Sequence, residues 1–234
     1  MDEVFIDTYR LSEVVIKGWL RSEDERTILA AQDQALRTNW FKKHIEGERI
    51  SDKCRLCSSW SESVCHILPG CEVLLLRGLN TERHNSICRL IHFRLCKIFE
   101  IPLNTNNHWE HNPNNIEENN IILLLYDYNI PTDAHVTNNK PDIVIHNKQE
   151  NSCIIIEVGV PSDGGVSAYE SEKEPKYQRL KYELRRIWNI DRIEIVPVIV
   201  GATGIIKKSL TIHLEKLPIQ VSTLELSMAV IKKV

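Results

Sequence analysis

Residues 140–161 read KPDIVIHNKQENSCIIIEVGVP, two apolar runs joined by a polar turn. The runs DIVI and CIIIEV are rich in β-branched residues, which pack well on a pleated, buried surface. The connecting HNKQENS offers polar turn residues, so the two runs are expected to pair as a hairpin. That pairing sets the chemistry, because Asp142 follows Pro141 at the start of the first strand and Glu157 lies fifteen residues later, near the end of the second. A hairpin can bring both carboxylates to one edge of a sheet. Two hard oxygen donors at a strand end suit Mg²⁺, with water and a phosphate completing an octahedron. The bland reading is a turn aspartate after proline and a solvated glutamate that closes a strand.

A lysine near two such acids could orient an attacking water or stabilise charge building on a phosphate. In the usual nuclease pattern it stands two residues beyond the second acid, where this chain has Gly159. The lysine must then come from the helix that follows, and Lys173 and Lys176 are the candidates. Pro175 sits between them. Either Ser171 and Glu174 form a capping box with the proline inside the helix, or the helix begins near Pro175 and leaves Lys173 outside it. The second arrangement favours Lys176.

Working outward, IILLLYDYNI (121–130) and IEIVPVIVGA (193–202) are two further β-rich runs. Between the hairpin and the last run, KYQRLKYELRRIW repeats apolar residues at helical spacing through Tyr177, Leu180, Leu184, Ile187 and Trp188. Three strands, a helix and a fourth strand make a mixed α/β core over residues 121–234. Residues 104–120 (NTNNHWEHNPNNIEENN) are Asn-rich and suggest a linker or a long loop. Residues 1–103 are expected to be a helical module, with helical patterns over 23–46 and 73–99.

A second constellation interrupts that module. Residues 53–71, KCRLCSSWSESVCHILPGC, contain C-x2-C-x8-H-x4-C if Cys54, Cys57, His66 and Cys71 are taken together. Zinc asks for four soft or borderline donors in a tetrahedron, and a C-x2-C turn places two thiolates on one side of it. Cys65 adjoins His66 and could replace it, so spacing alone leaves the third ligand open. Buried free thiols are the plainer alternative. With four protein ligands the site would be structural.

Composition narrows the class. The 234 residues are 42% hydrophobic and 26% charged, with a net charge of −3, so the protein is not a basic nucleic-acid coat. Any such contact must come from a local patch. The densest is Lys173 to Arg192, although Glu172, Glu174 and Glu183 could make it an ordinary solvated helix face. MDEVFIDTYR lacks the basic and apolar character of a secretory leader. IILLLY is too short to span a bilayer. The odd count of seven cysteines disfavours a disulfide framework. These features suggest an intracellular protein, nuclear or cytoplasmic, without membrane contact.

Several motifs together resemble the C-terminal region of non-LTR (LINE-type) retrotransposon reverse transcriptases of the lineage that carries a restriction-like endonuclease. The resemblance rests on AAQDQALRTN at 30–39, CRLC…HILPGC at 54–71, and RHN at 83–85. It continues through PTDAHVTNNKPDIVI, IIIEVGVPSD, KYQRLKYELRRIW and VPVIVGATG, in the family's order. It implies a zinc knuckle held by Cys54, Cys57, His66 and Cys71, followed by a PD-(D/E)xK nuclease fold with its lysine moved to the next helix. Asp142 and Glu157 would then bind Mg²⁺, with Lys176 catalytic and Tyr177 beside it. Arg83, His84 and Arg179 would contact nucleic acid. The implied task is nicking target DNA to prime reverse transcription of the element's RNA, alongside the polymerase domain of a parent polyprotein. This chain departs from the family in having Glu157 where Asp is usual, in Pro175, and in lacking a polymerase-type aspartate pair. The expectation is therefore a fragment of such a polyprotein. The alternative within the same family is a nucleic-acid-binding remnant that no longer cuts.

Overall fold

The computed structural model describes residues 22–231; the N-terminal stretch searched for a leader lies outside them. Strands β1 (Ile116–Glu118), β2 (Ile122–Tyr126), β3 (Ile143–Asn147), β4 (Ser152–Gly159) and β5 (Arg192–Ile199) form one sheet in sequential order. The first four run antiparallel, and β5 pairs parallel with β4. A parallel partner requires a crossover, supplied here by helices α6 (Val166–Lys176) and α7 (Gln178–Ile187). Earlier in the chain lie α1 (Ser22–Gln32), α2 (Asn39–His44), α3 (Val64–Ile67), α4 (Glu72–Leu76) and α5 (Leu79–Ile98). Helices α8 (Lys208–Glu215) and α9 (Thr223–Ile231) follow the sheet.

The sheet is buried on both faces, which explains why Ile154, Ile155 and Ile156 can be consecutive. One face, through Ile143, Ile145, Ile156 and Val158, packs on Ile87, Leu90, Ile91 and Leu95 of α5 and on residues of α8 and α9. The other, through Val144, Cys153, Ile155 and Ile195, packs on Tyr177, Leu180 and Leu184. The result is three layers, helices over sheet over helices.

Three expectations from sequence change here. Helix α5 belongs to the sheet's core, so no boundary at residue 103 separates a helical module from the sheet. The Asn-rich segment 104–120 contains β1 and buries His111, so it is a docked part of the core and not a free linker. Finally, α6 begins at Val166, well before Pro175. Ser171 Oγ bonds back to the Ala168 carbonyl instead of capping the Glu174 turn. Pro175 falls in the last turn, where α6 ends and α7 starts. Both Lys173 and Lys176 are therefore helical, and their i, i+3 spacing puts them on one face.

Gly159 explains the missing strand lysine. A Cβ there would lie 2.5 Å from Tyr169 Cε1 and 2.9 Å from Ile199 Cδ1, so Tyr169 of α6 occupies the space that a side chain would need. Gly201 is similar: an added Cβ would come within 2.6 Å of Asp163 Oδ1. That carboxylate accepts from Thr203 N–H at 3.1 Å and Thr203 Oγ1–H at 2.7 Å, tying the PSD and GATG loops together. Gly159→Ala is expected to cost about 1–3 kcal/mol through overpacking. Chemical denaturation should show the loss as a lower midpoint with an unchanged slope.

Candidate functional site

The register that pairs Ile143 with Ile156 continues by one step to set Asp142 opposite Glu157. The hairpin thus brings the two carboxylates together as the sequence suggested. Asp142 has two partners and Glu157 three. Asp142 Oδ2 accepts the backbone N–H of Val158 at 2.7 Å, and its Oδ1 meets His84 Nε2 of α5 at 3.1 Å. Glu157 Oε2 accepts the Tyr177 hydroxyl at 2.8 Å. Its Oε1 receives Lys176 Nζ at 2.6 Å and Lys173 Nζ at 3.2 Å.

The two lysines differ in exposure. The Lys173 side chain is only 7% exposed, and its ammonium lies 4.0 Å from the Tyr169 ring centroid. Burial opposes its charge, but Glu157 and Tyr169 outweigh it and raise the pKa. Lys176 is 30% exposed, so its ammonium alone of the two faces solvent and could reach a phosphate. Lys173 acts as an internal counter-charge that also holds Glu157 in place.

Tyr177 and Arg83 require correction. Tyr177 is fully buried, and burial followed by the Glu157 charge pushes its pKa far above the ordinary phenol range. It positions Glu157 and does not face a substrate. Arg83 is also fully buried, donating from Nη1 to the Leu68 carbonyl, and burial lowers its pKa to about 10. It joins α5 to the end of α3 and does not present a nucleic-acid contact. Arg179 is exposed as such a contact requires.

His84 takes a role that the sequence did not disclose. Burial alone would lower its pKa, but Asp142 and Cys88 outweigh this and raise it to about 11. The imidazole meets Asp142 at 3.1 Å and lies 3.8 Å from the Cys88 thiol, a setting that favours its protonated form. No local signal could have revealed this, because His84 and Asp142 are far apart in the chain and meet only where α5 crosses the sheet end. Elsewhere in the basic run, Arg186 pairs with Asp133 and Glu183, and Arg192 pairs with Glu150. Asp133 is thus an exposed turn residue with its own partner, and does not face Asp142.

The cysteine loop forms a separate cluster. Cys54, Cys57, His66 and Cys71 place one donor atom each within 4.8 Å of one another, and such a set could hold a metal such as zinc. Cys54 Sγ is 3.9 Å from Cys71 Sγ, and Cys57 Sγ is 3.3 Å from His66 Nε2. These are close to the edge lengths of a tetrahedron with bonds of about 2.0–2.3 Å. Ser63 caps α3 by accepting the His66 N–H at 3.2 Å, and so points that imidazole inward. Leu56 N–H donates to Cys54 Sγ at 3.4 Å. The N–H groups of Trp60 and Ser59 hold the Cys57 thiol down to about 6. Cys65 turns away and meets Gln34 Oε1 at 3.2 Å, which leaves His66 as the third donor. Buried Glu62 braces the loop, accepting from Asn39 N–H at 3.0 Å and Arg55 N–H at 2.8 Å.

No protein-family model matches the chain, and no curated protein matches it in sequence. Among the described residues, no helix is long and apolar enough to cross a membrane.

Proposed function

We propose that this chain is a nuclease domain of the restriction-like class, derived from a retrotransposon reverse transcriptase, that nicks DNA by metal-dependent phosphodiester hydrolysis. The observation that carries this reading is the convergence of Asp142, Glu157 and the partly exposed Lys176 ammonium at one sheet end. The order of helix, antiparallel strands, crossover helix and parallel strand also suits a PD-(D/E)xK core. Its nick would supply the 3′ hydroxyl from which a polymerase domain elsewhere in the parent polyprotein copies the element RNA.

The donors suit Mg²⁺. Asp142 Oδ2 and Glu157 Oε2 are anchored by Val158 N–H and the Tyr177 hydroxyl, whereas Oδ1 and Oε1 meet only the side chains of His84 and the two lysines. Asp142 Oδ1 and Glu157 Oε1 would hold the ion, which supplies charge neutralisation at the phosphate. The long, half-exposed Lys176 side chain can then swing from Glu157 to a non-bridging phosphate oxygen. Lys173 braces Glu157 through its ion pair, and a protonated His84 would fix Asp142 and add positive charge facing the backbone. The zinc-type knuckle and exposed Arg179 would extend the contact with nucleic acid.

A second reading has its own support. All four carboxylate oxygens already have protein partners, and three cationic groups face two acids. Such a site also suits a remnant that binds nucleic acid without cutting it. Relaxation of supercoiled plasmid in Mg²⁺ separates the two. Wild type should nick, and Asp142→Ala should lower the rate by at least about a hundredfold, the scale for losing a group that stabilises transition-state charge. Equal nicking by wild type and variant would sink the enzyme reading.

A further inference from the structure

A third group of metal-ligating side chains lies away from both sites. His92 and Cys96 occupy successive turns of α5, at the i, i+4 spacing that places two side chains on one face. His111 comes from the turn that follows residues 108–110. All three are buried, and one donor atom from each lies within 4.8 Å of the others. His92 Nδ1 is the hub, 2.8 Å from His111 Nε2 and 3.4 Å from Cys96 Sγ. Two imidazoles and a thiol pointing at one another in an apolar core are costly as isolated polar groups. The three groups face one another around His92 Nδ1, and His92 Nε2 is buried without a hydrogen-bond partner.

The sequence around the cluster has a pattern of its own. His92, Cys96, His108 and His111 form H-x3-C-x11-H-x2-H, two ligand pairs separated by a loop, as zinc sites commonly are. His108 is one turn from His111 and already touches the same helix, its ring centroid 6.4 Å from that of Phe93. The segment that carries these histidines is short of apolar residues, and yet it docks firmly enough to bury His111 and to lead into β1. Metal coordination would supply the missing anchorage.

We propose that His92, Cys96 and His111 are ligands of a second zinc ion, with His108, which lies outside their group, turning in as the fourth when the metal binds. The ion would be structural, clamping residues 104–115 onto α5. The donor set of nitrogen and thiolate selects zinc over the hard cations that the acidic site would take. This assignment is independent of the nuclease reading and stands whether or not the protein cuts DNA.

The test uses the full chain, purified without chelator and loaded with zinc. Elemental analysis should return about two zinc ions per chain, and X-ray absorption should give an average near two sulfurs and two nitrogens per zinc. A knuckle alone would return about one zinc with about three sulfurs and one nitrogen, and that result overturns the proposal. His111→Asn should then lower the zinc content by about one ion per chain. Unchanged content in that variant also overturns it. The absorption measurement needs only wild-type protein, so the proposal remains open to refutation even if the variant fails to fold.

Discussion

Glu157→Gln is expected to lower the melting temperature by about 10 °C and to abolish nicking. The carboxylate is buried and is the shared counter-charge of Lys173 and Lys176. Neutralising it leaves the Lys173 ammonium, which is almost entirely out of solvent, facing an amide. Breaking a buried pair in this way costs about 3–5 kcal/mol, and each kcal/mol moves the midpoint by about 2–4 °C in a chain of this size. The Tyr177 hydroxyl keeps an acceptor in the glutamine, so the loss falls on the lysines. The double variant Glu157→Gln/Lys173→Met should recover about half of the lost stability, since methionine fills similar space without charge. It should nonetheless remain inactive. A single variant that melts like wild type would show that the ion pairs contribute nothing, and one that nicks like wild type would remove Glu157 from the chemistry.

Cys71→Ser is expected to have a comparably large but more local effect. Among the described residues, the apolar cluster at the knuckle is a small one of Ala31, Val64, Leu68 and Ala202, with Leu36 and Ile67 packed against it. So small a core contributes little to ordering the loop, and a metal held by the four donors would add to it. Structural zinc contributes about 10–16 kcal/mol to the folding of isolated finger peptides at neutral pH, far more than this cluster could. The variant should lose about one zinc ion per chain. Limited proteolysis should then cut within residues 50–71 while the sheet stays intact. Chelation of the wild-type protein should expose the same bonds. Resistance to protease after metal removal would show that Glu62 and its partners hold the loop by themselves.

The two constellations differ in how far the sequence discloses them. Ligand spacing in the knuckle is local, but the third donor is decided by a distant contact, since Cys65 turns to Gln34 and leaves His66. The acid pair is also local, because hairpin register follows from alternation and turn length and sets Asp142 against Glu157. Its cations were less legible. Pro175 can be read as a helix start that leaves Lys173 outside, whereas α6 starts at Val166 and tolerates the proline in its last turn. The helix-period reading of Tyr177 was sound, but burial turned a presumed catalytic neighbour into a support for Glu157.

Arg83 and His84 show the same limit from the other side. They are adjacent in sequence and similar in chemistry, yet one is fully buried and donates to the Leu68 carbonyl while the other meets Asp142. Which way each points depends on how α5 crosses the sheet, and no periodicity in residues 79–98 encodes that crossing. The Asn-rich segment follows the same rule: its composition suggests a linker, and docking of His111 and β1 makes it core. The sequence alone determined the four main strands, the acid pair and the candidate knuckle ligands short of the choice between Cys65 and His66, because those arise from period, turn chemistry and short-range spacing. Only the tertiary structure decided which cations face solvent, what keeps Gly159 bare and which histidines meet, because those depend on contacts between residues far apart along the chain.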